Sequence, residues 1–189
     1  MGLLTSLGWL LAALALARAG ARPWVQGAAA VLAGIAGTTL PDLDLLLPIG
    51  HRSALTHSLL PPAILWGLGA KRPVTAGLAI GIALHLAADC FPQAMRGFAT
   101  VKLPGAGSIG AGASYAWLGM QAAAGTLTGI VLLGRSLPAR TAAVVALLLV
   151  AVGVGYLHAV DGGWRALSLY VLFGWAAVRR RSTKDAIAR

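Results

Sequence analysis

The chain is poor in acid. Only five of its 189 residues bear a carboxylate, and all five are aspartate. It has four histidines, one cysteine and 11% charged residues in all. So little charge excludes an ordinary soluble domain, in which about a quarter of residues are charged. The single cysteine, Cys90, excludes an intrachain disulfide and leaves the redox compartment open. Positive charge is also missing ahead of the first apolar run. The first basic residue is Arg18, whereas a secretory signal carries its charge before the apolar segment, so a retained first helix is expected. There is no internal repeat, and the length suits one integral membrane domain over 1–189.

What the chain has instead is apolar bulk: 58% hydrophobic residues and a mean hydropathy of +0.81. These values predict an all-α fold, a polytopic transmembrane bundle of about seven helices with short loops. Apolar runs and breakers place the helices at about 3–17, 24–40, 54–70, 74–90, 115–134, 139–157 and 164–178. Pro61-Pro62 is expected to kink or restart the third. A polar connection covers 42–53, and a long Gly-rich one covers 91–114. Several runs fall short of the ~20 residues that span a bilayer, so tilt or local thinning is expected.

The net charge of +10 would suggest nucleic acid as a partner of a soluble protein. Here the cations lie at helix ends, so none is expected, and the partner is the lipid bilayer. One set of ends carries Arg18, Arg22, Lys71, Arg72, Arg135, Arg140 and the basic tail over 179–189. The other set carries only Arg52, Arg96, Lys102 and Arg165. Positive charge stays inside, which predicts an inner-membrane protein with its N-terminus outside and its C-terminus cytoplasmic.

The scarce polar residues are not scattered. Two aspartates and two histidines crowd into Pro41-Asp42-Leu43-Asp44 and His51-Arg52-Ser53-Ala54-Leu55-Thr56-His57-Ser58. His85 and Asp89 follow at i and i+4, which puts them on one helical face. The predicted topology carries all three clusters to the outer side. Asp and His are ligands for zinc, manganese or iron, and ionisable groups near a membrane are costly enough to be functional by default. The candidate ligands are Asp42, Asp44, His57, His85 and Asp89, with His51 as an addition. Asp42 and Asp44 could divide the work, one ligating and the other orienting a ligand. Asp42 or Asp44 could also accept a proton. Arg52 could hold a substrate phosphate through its planar fork. Thr56 and Ser58 read as caps or supporting donors, Cys90 as a buried apolar residue, and His158 and Asp161 as turn residues.

The ordered motifs Pro-Asp-x-Asp, His-Arg-x-x-x-Thr-His-Ser and His-Leu-x-x-Asp, within about 28–105, resemble the YdjM-like family of inner-membrane metal-dependent hydrolases. The resemblance implies a membrane-embedded hydrolase with a divalent metal, and its motif acids and histidines fall on Asp42, Asp44, His51, His57, His85 and Asp89. The expected activity is hydrolysis of a phosphoester or related bond in a lipid-linked substrate at the outer membrane face, with zinc the first choice of metal and manganese or iron as alternatives. A proton- or ion-coupled transporter and a non-catalytic scaffold stapled by metal are the competing expectations.

Overall fold

A computed structural model describes residues 3–187. Seven α-helices account for most of it: α1 Leu3–Ala19, α2 Pro23–Gly37, α3 Leu60–Gly67, α4 Arg72–Asp89, α5 Ala111–Ser136, α6 Ala139–Ala159 and α7 Gly163–Ile187. Two short 3-10 helices, Leu40–Leu46 and Gly97–Ala99, stand between them. The expected all-α architecture holds, with one small addition. A two-stranded antiparallel hairpin, β1 Lys102–Leu103 and β2 Gly107–Ser108, pairs Lys102 with Ser108 and Leu103 with Gly107.

The third helix is much shorter than expected. Pro61 and Pro62 begin it rather than kink it, because proline suits the first helical turn, where its missing N–H costs nothing. The residues before it, 53–58, turn back toward Asp44 instead of continuing as helix. The 42–53 connection is also more ordered than expected, since its first part belongs to the 3-10 helix. At the far end α7 runs on through most of the basic tail. The terminal residues of that tail, 188–189, lie outside the described residues.

By length and apolar character α5 and α6 can cross a membrane, and the bent pair of α2 with the following 3-10 helix makes up to three such spans. Those spans fit a membrane protein.

Helix α4 is the centre of the molecule. Fifteen of its 18 residues are buried, as expected of a helix apolar all round. Against α2 it lies backbone to backbone. A Cβ at Gly77 would collide with the Ala30 carbonyl, and one at Gly81 with the Gly34 carbonyl. Gly37 is equally tight, since its Cβ would come 2.7 Å from the Leu78 carbonyl. On the other side, a Cβ at Gly125 or Gly129 of α5 would come 3.0 or 2.8 Å from the Ala79 or Ala76 carbonyl oxygen. Small residues thus let three helices approach closely without a polar seam. The α2–α4 contact brings the end of α2, with Thr38 and Asp42, against the end of α4, with His85 and Asp89. The Ser6 and Thr39 hydroxyls bond to each other and tie α1 to the same corner.

Candidate metal centre

Three segments meet at this corner: the 3-10 helix after α2, the turn before α3, and the last turn of α4. Asp42, His57 and His85 lie close enough to hold a metal ion, each offering a ligand atom within 4.8 Å of the others. Asp89 belongs with them by distance. Its Oδ2 lies 3.3 Å from His57 Nε2 and 3.4 Å from His85 Nε2, and Asp42 Oδ1 lies 3.7 Å from His85 Nε2. In a tetrahedral zinc site with bonds of about 2.0–2.1 Å, ligand atoms stand about 3.3–3.4 Å apart. The two shorter separations match that edge, and the third is slightly loose.

The same three inner atoms, His57 Nε2, His85 Nε2 and Asp89 Oδ2, are buried without a hydrogen-bond partner. Buried polar atoms are nearly always satisfied. Three orphans that face one another, two of them ring nitrogens, are atoms that could ligate a divalent cation.

The outer ring atoms explain why the inner ones are free. His85 Nδ1 lies 2.9 Å from the Thr38 carbonyl, which can only accept, so Nδ1 carries the hydrogen and Nε2 keeps its lone pair. The Tyr156 hydroxyl from α6 lies 3.0 Å from the same nitrogen. His57 Nδ1 lies 3.1 Å from Asp44 Oδ2 and 3.1 Å from Thr56 Oγ1, and a hydrogen on Nδ1 shared with the carboxylate leaves Nε2 its lone pair there too. Carboxylate or carbonyl behind a ligating histidine is the usual way a protein aims imidazole at a metal.

Asp44 therefore has the orienting place, and Asp42 faces the cluster. Asp44 is 1% exposed. Its Oδ2 accepts from the Ser53 N–H at 2.9 Å, from Thr56 Oγ1 at 2.9 Å and from His57, and its Oδ1 faces His51 Nδ1 at 3.3 Å. Both oxygens are thus engaged, Oδ2 by three groups and Oδ1 by His51 alone. His51 stands behind Asp44 rather than in the cluster, and stacks on Phe98 with centroids 4.0 Å apart.

Arg52, whose fork could hold a substrate phosphate, is turned toward Asp89, and its Nε is buried with no hydrogen-bond partner. Its side chain is buried and already engaged: Nη2 donates to Asp89 Oδ1 at 2.8 Å, and Nη1 donates to the Ala99 carbonyl at 2.6 Å. Holding Oδ1 turns Oδ2 toward the histidines. Arg52 is also the only non-glycine with positive φ among the described residues, at 56°. That strained backbone is held by neighbours, because the Lys102 N–H donates to the Arg52 carbonyl and the Ala54 N–H donates to the Lys102 carbonyl. The hairpin thus clamps the turn from which Arg52 reaches Asp89. Burial, then the Arg52 cation nearby, lowers the pKa of Lys102.

The remaining candidates stand aside. Thr56 serves Asp44, and Ser58 bonds the Leu55 carbonyl and receives the Leu60 N–H as α3 begins. Burial and the adjacent Asp89 push the Cys90 thiol up to about 11, which disfavours the thiolate a metal would need. His158 packs edge-on against Trp164, 5.2 Å between centroids, and Asp161 is exposed. Tyr156, Thr38 and Phe98 were not among the expected residues. A tyrosine alone in a long aliphatic helix was the one available signal for Tyr156.

No protein-family model, curated protein or solved structure matches this chain. The resemblance to the YdjM-like family accordingly stands on the three motifs alone.

Proposed function

We propose that this protein is a membrane-bound metal-dependent hydrolase of the YdjM-like kind, acting on a phosphoester or related bond in a lipid-linked substrate. The reading includes the finer architecture: a seven-helix bundle in the inner membrane, N-terminus outside, with the site at the extracytoplasmic face. The observation that carries it is the set of three buried, unpartnered atoms on His57, His85 and Asp89, converging beside Asp42. Two imidazoles and two carboxylates favour zinc, with manganese or iron next.

His57, His85, Asp89 and Asp42 would hold the ion. When bound, it supplies Lewis acidity, polarising a phosphoryl oxygen and acidifying water. The chain's own residues do the rest. Asp44 and Thr38 keep both Nε2 lone pairs aimed inward. Arg52 is a positioning residue that holds Asp89 and compensates its charge. Asp42 has a side chain one-third exposed, against 0–17% for the other three. It marks the side on which water and substrate enter, and its carboxylate is the group placed to accept a proton there. An open side favours an enzyme over a purely structural staple, whose metal is closed by protein ligands. Clustering at helix ends, rather than at helix centres, favours an enzyme over a coupled carrier.

Elemental analysis of protein purified without added metal, paired with phosphate or headgroup release from a panel of lipid phosphoesters, tests the proposal. Stoichiometric metal and chelator-sensitive release are expected. Metal-loaded protein inert on every substrate would leave the staple, and metal-free active protein would remove the metal from the reaction.

A further inference from the structure

The end of the molecule away from the metal centre holds a second polar feature. An open pocket of about 530 Å³ lies between the α3–α4 turn and the end of α5. Lys71, Arg72 and Arg135 line it, together with Trp66. None of the three cations has a carboxylate partner among the described residues. The aspartates of the metal centre are a full helix away, since the 18 residues of α4 cover about 27 Å at 1.5 Å per residue.

Two of these charges stand where the fold itself disfavours them. Lys71 is the N-cap of α4 and Arg72 its first residue, with no acid in the first turn. A helix N-terminus carries partial positive charge, so cations there are repelled and an anion is attracted. A preference for positive charge on the cytoplasmic side accounts for cations at this end. It does not account for two on a helix N-terminus and a third brought to them from α5. An anion resolves the arrangement. Trp66, 49% exposed in the same pocket, is the side chain that settles at headgroup depth in a bilayer.

We propose that this pocket binds the phosphate of an anionic phospholipid headgroup. Basic pockets between helices on the cytoplasmic side suit this ligand class. The proposal does not depend on the hydrolase reading, because no residue is shared with the metal centre.

The test is lipid retention by native mass spectrometry. Full-length protein is extracted into mixed micelles of phosphatidylglycerol and phosphatidylcholine at equal amounts. Each cation near a membrane surface contributes about fivefold in affinity, so three predict a preference for phosphatidylglycerol on the order of a hundredfold. Lys71→Gln/Arg72→Gln/Arg135→Gln should reduce it to within about fivefold. Lys71→Arg/Arg72→Lys/Arg135→Lys should keep it, and so should Arg96→Gln/Arg165→Gln at the opposite end. A Gln triple variant that retains the full preference overturns the site. Displacement of the lipid by millimolar inorganic phosphate overturns the lipid as ligand, leaving a soluble anion. Should the triple variant not fold, the salt response of the unmodified protein decides. A preference that does not fall between about 0.05 and 0.5 M salt refutes an electrostatic site.

Discussion

Asp44 offers the sharpest test of how the metal centre is built, because two substitutions there should fail in different ways. Its Oδ2 is the common acceptor for the Ser53 N–H, the Thr56 hydroxyl and the His57 ring. Asp44→Asn can keep a neutral carbonyl oxygen at that point while its amide turns toward His51. The three donors stay satisfied, so folding should survive, but the charge-assisted bond behind His57 is lost. Removing such a partner typically weakens metal binding by about 10–100-fold, or about 1.4–2.7 kcal/mol. Asp44→Ala instead leaves the buried Ser53 N–H without an acceptor, at about 1–3 kcal/mol, while Thr56 Oγ1 keeps the Ser53 carbonyl at 3.2 Å and His57 Nδ1 keeps Thr56 Oγ1 at 3.1 Å. That loss is a sizeable part of the whole stability of a typical domain, about 5–15 kcal/mol. Competitive chelator titration and thermal melting in detergent separate the two cases. Asp44→Asn should melt near the parent and bind zinc about 10–100-fold more weakly, and Asp44→Ala should melt clearly below the parent as well. If Asp44→Asn binds metal within about twofold of the parent, Asp44 does not aim His57.

Four further outcomes follow from the same geometry. Gly81→Val would drive a side chain into the Gly34 carbonyl, so α2 and α4 should part and metal content should fall although every ligand remains; normal metal in that variant would deny the close helix contact its role. Arg52→Met should strip the compensation from Asp89 and lower metal affinity at least tenfold, about 1.4 kcal/mol; a raised KM with metal fully retained would return Arg52 to the substrate. His158→Ala should leave metal content unchanged, as measured by elemental analysis, and a loss would extend the centre into the α6–α7 turn. A cysteine at exposed position 108, in a Cys90→Ala background, should react with an impermeant maleimide in intact cells. Labelling only after permeabilisation would invert the proposed orientation.

The sequence made the metal centre legible because its background is so plain. With five carboxylates and four histidines in the whole chain, crowding at 42–57 and 85–89 needed no structure to be noticed. The i, i+4 spacing of His85 and Asp89 predicts their shared face, and in the structure their atoms lie 3.4 Å apart. The division of labour was not legible. Asp42 and Asp44 look equivalent in extended chain, and only the 3-10 helix decides which one meets Ser53 and Thr56. Nothing local reveals Ala99 as a partner of Arg52, 47 residues away. The α3 boundary failed for a related reason: apolar content favours helix from residue 54, but hydrogen bonds to Asp44 compete successfully for the backbone at 53–58. The span count is the other shortfall, since length and composition single out only two or three helices.

The hairpin's hold on the Arg52 turn has a consequence for biogenesis. The four inward-facing groups, Asp44, Arg52 and the Ala99 carbonyl that steadies Arg52 all precede residue 100, and Lys102 completes the clamp. About 90 residues of the chain then remain to be made. At about 5–20 residues per second, a ribosome needs about 5 to 20 s to finish them. The ligand set is therefore made before α6 and α7, with the Trp117 ring, which donates to the His57 carbonyl at 2.8 Å, and the Tyr156 hydroxyl still to come. If the corner holds a metal, as proposed above, the ion could enter before α6 and α7 pack beside it.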